Sequence, residues 1–103
     1  MGTSTIGGIL QNFVSGTADV QGCALVSHDG LPLASSLPSA MDEERTSAMS
    51  AAMLSLGERI GKELSRGSIE RIMVEGTDGY GILMGCGDDA VFLVLASKSA
   101  KQG

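Results

Sequence analysis

Residues 69–96 read IERIMVEGTDGYGILMGCGDDAVFLVLA, three apolar runs separated by two short breaks, and this stretch decides the fold. The runs are Ile69 to Glu75, Tyr80 to Cys86 and Ala90 to Ala96, divided by Gly76-Thr77-Asp78-Gly79 and Gly87-Asp88-Asp89. Asp and Gly tolerate the backbone of tight turns, so the spacing predicts a three-stranded antiparallel meander. The last run is apolar on both faces, as an interior strand would be, whereas Glu70, Arg71 and Glu75 put charge into the first, which fits a sheet edge.

Upstream of the meander lies a long helix, predicted from about Asp42 to Ser65 and closed by Gly67. Asp42, Glu43 and Glu44 supply carboxylates where a helix start presents unpaired N–H groups. Met49, Ala52, Met53, Leu56, Ile60 and Leu64 fall on one narrow face, and that face is expected to cover the sheet. Beside it runs a stripe of small residues, Ser50, Gly57 and Gly61, flanked by Ser47 and Leu54. Glycine inside a helix costs about 1 kcal/mol relative to alanine, so the stripe asks for a compensating close approach, here expected from the same helix of a second copy. Opposite the core face stand Glu44, Ser47, Ala51, Leu54, Ser55, Glu58 and Lys62. They are expected to form a partner-binding surface, with Ala51 and Leu54 at its centre and Glu44, Glu58 and Lys62 as polar rim.

The first third supplies a short amphipathic helix from Thr5 to Ser15, carrying Ile6, Ile9, Leu10, Phe13 and Val14, and then a hairpin. Its strands are Gly22 to Ser27 and Leu31 to Ser36, joined by His28-Asp29-Gly30. Pro32 has no N–H for a ladder, which sends the return strand to an edge. The element order is αββαβββ. At 103 residues, with 43% hydrophobic and 18% charged, the whole chain fits one folded domain.

Composition and motifs exclude several functions. Net charge is −5 and the seven basic residues are scattered along the chain, so nucleic acid is not expected as a partner. No apolar run approaches the roughly 20 residues of a membrane span, and no signal sequence opens the chain, so a cytoplasmic place is expected. Met1-Gly2 begins like a myristoylation signal, but Ile6 stands where that signal needs Ser or Thr. Cys23 and Cys86 both read as free, buried thiols, and with one histidine the chain assembles no zinc set. The glycines around Gly76–Gly81 and Gly85–Gly87 lack the Gly-Lys-Ser/Thr and the following helix of a phosphate cradle. His28 reads as a solvated turn residue, and the adjacent Asp88 and Asp89 point apart. No cofactor, metal or catalytic group of its own is expected.

Three stretches together resemble a known family. They are Gly22-Cys23-Ala24-Leu25-Val26-Ser27-His28-Asp29-Gly30-Leu31-Pro32-Leu33-Ala34-Ser35, the run from Asp42 to Arg59, and Val74-Glu75-Gly76-Thr77-Asp78-Gly79-Tyr80. In this order they are similar to the roadblock (dynein light chain) family, especially its MglB-like members that regulate Ras-like GTPases. The resemblance implies an α+β fold, a five-stranded antiparallel sheet of order 2-1-5-4-3 with a helix on each face. It also implies a homodimer joined at the third strands, with Ser50, Gly57, Gly61, Ile69, Arg71, Ile72, Met73 and Val74 at the interface. Two long helices side by side would then dock one MglA-like GTPase, whose hydrolysis is stimulated by rearranging its own residues, with no arginine finger from Arg45 or Arg59. The alternative within the family is a non-catalytic structural adaptor. Family members commonly continue into a C-terminal helix, whereas this sequence stops at Gly103, so the second face of the sheet is expected to be incompletely covered.

Overall fold

A computed structural model describes residues 3–99. The opening Met1-Gly2 and the closing stretch from Ala100 lie outside the described residues. The elements run α1 (Thr3–Gly16), β1 (Val20–Ser27), β2 (Pro32–Ser36), α2 (Glu43–Glu63), β3 (Ile72–Glu75), β4 (Gly79–Cys86) and β5 (Ala90–Ser97). All neighbouring strands pair antiparallel, in the order β2-β1-β5-β4-β3. The two strands that are apolar on both faces, β1 and β5, sit inside, while Pro32 and the charged run from Ile69 to Glu75 sit at the two edges, as the sequence predicts.

Alternation along the strands sorts side chains onto two faces. On one, Ala24, Val26, Leu83, Val91 and Leu93 form the buried core with Ala51 and Leu54 of α2. On the other, α1 lies over β1 and β2. The Cys23 thiol there donates to the Leu10 carbonyl at 3.7 Å, and Phe13 meets Phe92 with ring centroids 6.5 Å apart.

Local chemistry explains where the elements start and stop. Asp42 caps α2 by accepting the Arg45 N–H at 3.0 Å, which satisfies one of the orphan donors of the first turn. At the other end, Arg66 N–H donates to the Gly61 carbonyl and Ser65 N–H to the Lys62 carbonyl, a Schellman closure. Its left-handed residue is Ser65, at φ 55°, so the helix ends earlier than Gly67. Gly30, at φ 91°, closes the β1–β2 turn and lies against Ala48 and Ala51 of α2.

Three expectations are corrected. The first concerns the face of α2. Met49, Ala52, Met53, Leu56, Ile60 and Leu64 are exposed, and Ser47, Ser50, Ala51, Leu54 and Gly61 are buried against the sheet. The cause is thickness: Gly57 and Gly61 let the helix settle close to the sheet, where Ile72 and Ile69 fill the space their β-carbons would need. Secondly, Cys86 is exposed, because it ends β4 beyond the reach of α1, which covers β1 and β2. Thirdly, the edge strand is shorter than its apolar run: Ile69, Glu70 and Arg71 lead into it without pairing to β4.

Candidate docking surface

The long helix is the only element on its side of the sheet among the described residues, and its two exposed flanks differ in chemistry. Along one flank, Met49, Met53, Leu56, Ile60 and Leu64 recur at helical spacing and are each 41–60% exposed. At 3.6 residues per turn, Leu64, Met53 and Ile60 lie within about 60° of Gly57 on the wheel. Gly57 is the position that meets Ile72, so the apolar flank is the one beside the edge strand. On β3 itself, Val74 shares the face of Ile72 and is 51% exposed. An apolar helix flank and an apolar edge residue therefore share one face of the molecule.

The other flank is polar. Glu44, Ser55, Glu58 and Lys62 are exposed there, and a cleft of about 460 Å³ opens between Glu58, Lys62 and the loop residues Gly67, Ser68 and Ile69. Glu43 and Glu44 in the first turn and Lys62 in the last are each favourable to the helix dipole, while Glu63 beside Lys62 leaves that end without net charge.

The structure divides the residues that sequence reasoning had grouped. Of the expected partner surface, Glu44, Ser55, Glu58 and Lys62 remain on the outside, but Ser47, Ala51 and Leu54 are 0%, 9% and 5% exposed and face the sheet. Ser47 Oγ is buried without a hydrogen-bond partner, whereas Ser50 Oγ donates to the Thr46 carbonyl at 2.8 Å. Of the expected dimer residues, Ser50, Gly57 and Gly61 serve contacts within the chain. Ile69 and Ile72 are partly buried beneath α2, and Arg71, Met73 and Val74 are exposed. The exposed apolar stripe is the one the sequence predicts as core, and the glycine and serine of the neighbouring stripe are the signal for its exposure.

The edge strand is held in place from outside the ladder. Lys98 Nζ donates to the Glu75 carboxylate at 2.9 Å and to the Gly76 carbonyl at 3.2 Å, and lies 4.7 Å from the centre of the Tyr80 ring. The hydrogen bond to Glu75, followed by its charge, raises the Lys98 pKa above the ordinary range. These contacts tie the end of β5 to the β3–β4 turn.

A family model, the Roadblock/LC7 domain, matches residues 7–96. The uncharacterized protein MJ0310 of Methanocaldococcus jannaschii is 32% identical over 82 residues, covering 80% of this chain and 72% of that protein. Among solved structures, a Roadblock/LC7 domain from Streptomyces avermitilis superposes with a TM-score of 0.84 at 20% identity, over 92% of this chain and 80% of that one. Myxococcus xanthus MglB superposes with a TM-score of 0.82 at 13% identity, over 98% of this chain and 76% of that one. No helix among the described residues is long and apolar enough to cross a membrane.

Proposed function

We propose that this chain, which belongs to the Roadblock/LC7 domain family, is a homodimeric cytoplasmic binding module for a Ras-like small GTPase, one domain spanning residues 1–103. The observation that carries the reading is the exposed apolar flank of α2 beside the edge strand. Two copies pairing at β3 would lay these flanks together and bury Met53, Leu56 and Ile60, which a solitary chain leaves in water. Removing such side chains from water contributes about 25 cal/mol per Å² of apolar area. A two-fold interface is isologous, so each copy would offer the other the same apolar flank.

The paired helices then offer a composite surface. Glu44, Ser55, Glu58 and Lys62 remain exposed in this arrangement, with Ala52 as the small apolar member of the outer crest. A GTPase on the two-fold axis would bind one per dimer. The module contributes no nucleophile, base or metal in this reading, so any effect on hydrolysis arises from repositioning groups of the GTPase.

Titrating a Ras-like GTPase of the MglA type, loaded with GDP or a non-hydrolysable GTP analogue, tests the proposal by calorimetry and turnover. Two chains per GTPase, with preference for one nucleotide state and a changed hydrolysis rate, is the expected result. Binding that leaves turnover unchanged would select the adaptor role, and absence of binding in both states would refute the proposal.

A further inference from the structure

On the apolar flank of α2 the oxidisable groups are the thioethers of Met49 and Met53, one turn apart and both exposed. The other described methionines lie elsewhere. Met41 precedes the helix, Met84 is half-buried on β4, and Met73, opposite Ile82 in the ladder, turns to the other face of the sheet from Ile72. The two flank sulfurs differ in their neighbours. Met49 has Arg45 one turn back, whose guanidinium carries several N–H donors. Met53 has Met49, Ser50, Leu56 and Gly57 at that spacing, and the Ser50 hydroxyl already donates to the Thr46 carbonyl at 2.8 Å. None of these four neighbours has a side-chain donor to spare.

We infer that Met53 is an oxidation site through which a hydroperoxide separates paired chains; the inference rests on the pairing proposed above. In the step itself the sulfur lone pair attacks one peroxide oxygen, the O–O bond breaks and an S–O bond forms. Sulfur gives up two electrons, the proton of the transferred oxygen passes to the other oxygen, and that oxygen leaves as water, or as an alcohol from an alkyl hydroperoxide. The sulfoxide is polar and accepts hydrogen bonds, where the thioether was apolar. On a separated chain water satisfies the new oxygen. Pairing would strip that water away, and an isologous partner returns the same flank of Met49, Met53, Leu56, Ile60 and Leu64, which carries no donor. The oxidised side chain is thus tolerated on one chain and penalised between two. Sulfoxide reductases reverse the change, so the site can switch in both directions.

Sedimentation equilibrium at micromolar concentration, before and after brief hydrogen peroxide, tests the inference in a Cys86→Ser background, which removes the exposed thiol as a competing target. Peptide mass spectrometry places the added oxygens. The pair should loosen by about tenfold or more as Met53 is converted. Sulfoxide reductases of both stereospecificities, with a thiol reductant, should restore it. Met49→Leu should stay sensitive. Met53→Leu, compared only with itself before and after peroxide, should lose the response while Met41, Met49 and Met73 still take up oxygen. A pair that survives conversion of Met53, an equal response in Met53→Leu, or loss of the native circular dichroism on treatment would overturn the inference and leave the pairing standing. A chain already single before peroxide is added would defeat the pairing itself, and the inference with it.

Discussion

Ile72 stands where a β-carbon on Gly57 would have to go, so the edge strand and the long helix touch through the absence of a side chain. The same device recurs one turn on, where Ile69 Cδ1 would lie 2.7 Å and the Gly67 carbonyl oxygen 3.1 Å from a β-carbon on Gly61. The two positions differ in what must yield: at Gly57 it is the end of a side chain, at Gly61 it is backbone as well.

Gly61→Ala is therefore expected to destabilise the fold by about 1–3 kcal/mol, because overpacking outweighs the gain of about 1 kcal/mol in helix propensity. Gly57→Ala should be closer to neutral, since Ile72 can rotate away. Urea unfolding of both variants checks the order; a stabilised Gly61→Ala would contradict the close packing.

Leu54→Ala and Leu56→Ala separate the two faces of α2. Leu54 is in the core and its truncation should cost about 2–4 kcal/mol, whereas Leu56, 51% exposed, should change the stability of the separated chain by about 0.5 kcal/mol or less. Pulse proteolysis in urea at low protein concentration, where chains are apart, measures both. A reversed order would return the face of α2 to the one the sequence suggests.

That reversal shows where the sequence is legible and where it is not. Edge positions and turn placement follow from residues whose meaning is local: Asp-Gly turns, Pro32, and the charge in the run from Ile69 to Glu75; the full strand order is what the family resemblance implies. The orientation of α2 does not, because the helix carries two competing stripes. Met49, Met53, Leu56, Ile60 and Leu64 are the more apolar, and the ordinary rule puts them inside. The small stripe wins because Gly57 and Gly61 allow a short helix-to-sheet distance that Ile69, Ile72, Leu83 and Leu93 fill from the sheet side. The glycines require a close neighbour, but nothing in their spacing alone distinguishes a second helix from the chain's own sheet.

The thiols should behave as two classes. Cys86 is exposed and is expected to react rapidly with a disulfide reagent, while Cys23, buried under Leu10, reacts only on unfolding. Burial raises the Cys23 pKa, so the folded state holds its proton more tightly than the unfolded chain. The stability tied to this thiol is thus intact below the ordinary cysteine range and falls as the pH climbs through and above it. One fast equivalent per chain in native buffer and two in denaturant is the expected count; two fast equivalents in native buffer would place Cys23 outside the core.

Ser65 adopts φ 55° at the close of α2, a conformation that costs a β-carbon-bearing residue about 1–2 kcal/mol. Ser65→Gly should stabilise the chain by about 0.5–1 kcal/mol, the conformational relief being partly offset by the greater freedom of glycine in the unfolded state. Thermal unfolding would register it as a higher midpoint. A lower midpoint would mean that the left-handed closure is absent in solution.

The claim on which the docking platform depends is that two chains join through β3 and the apolar flank of α2. Sedimentation equilibrium at micromolar concentration, comparing the wild-type chain with Met53→Glu, measures it. Two chains for the first and one for the second is the predicted result. A single chain for both, or two for both, would contradict it.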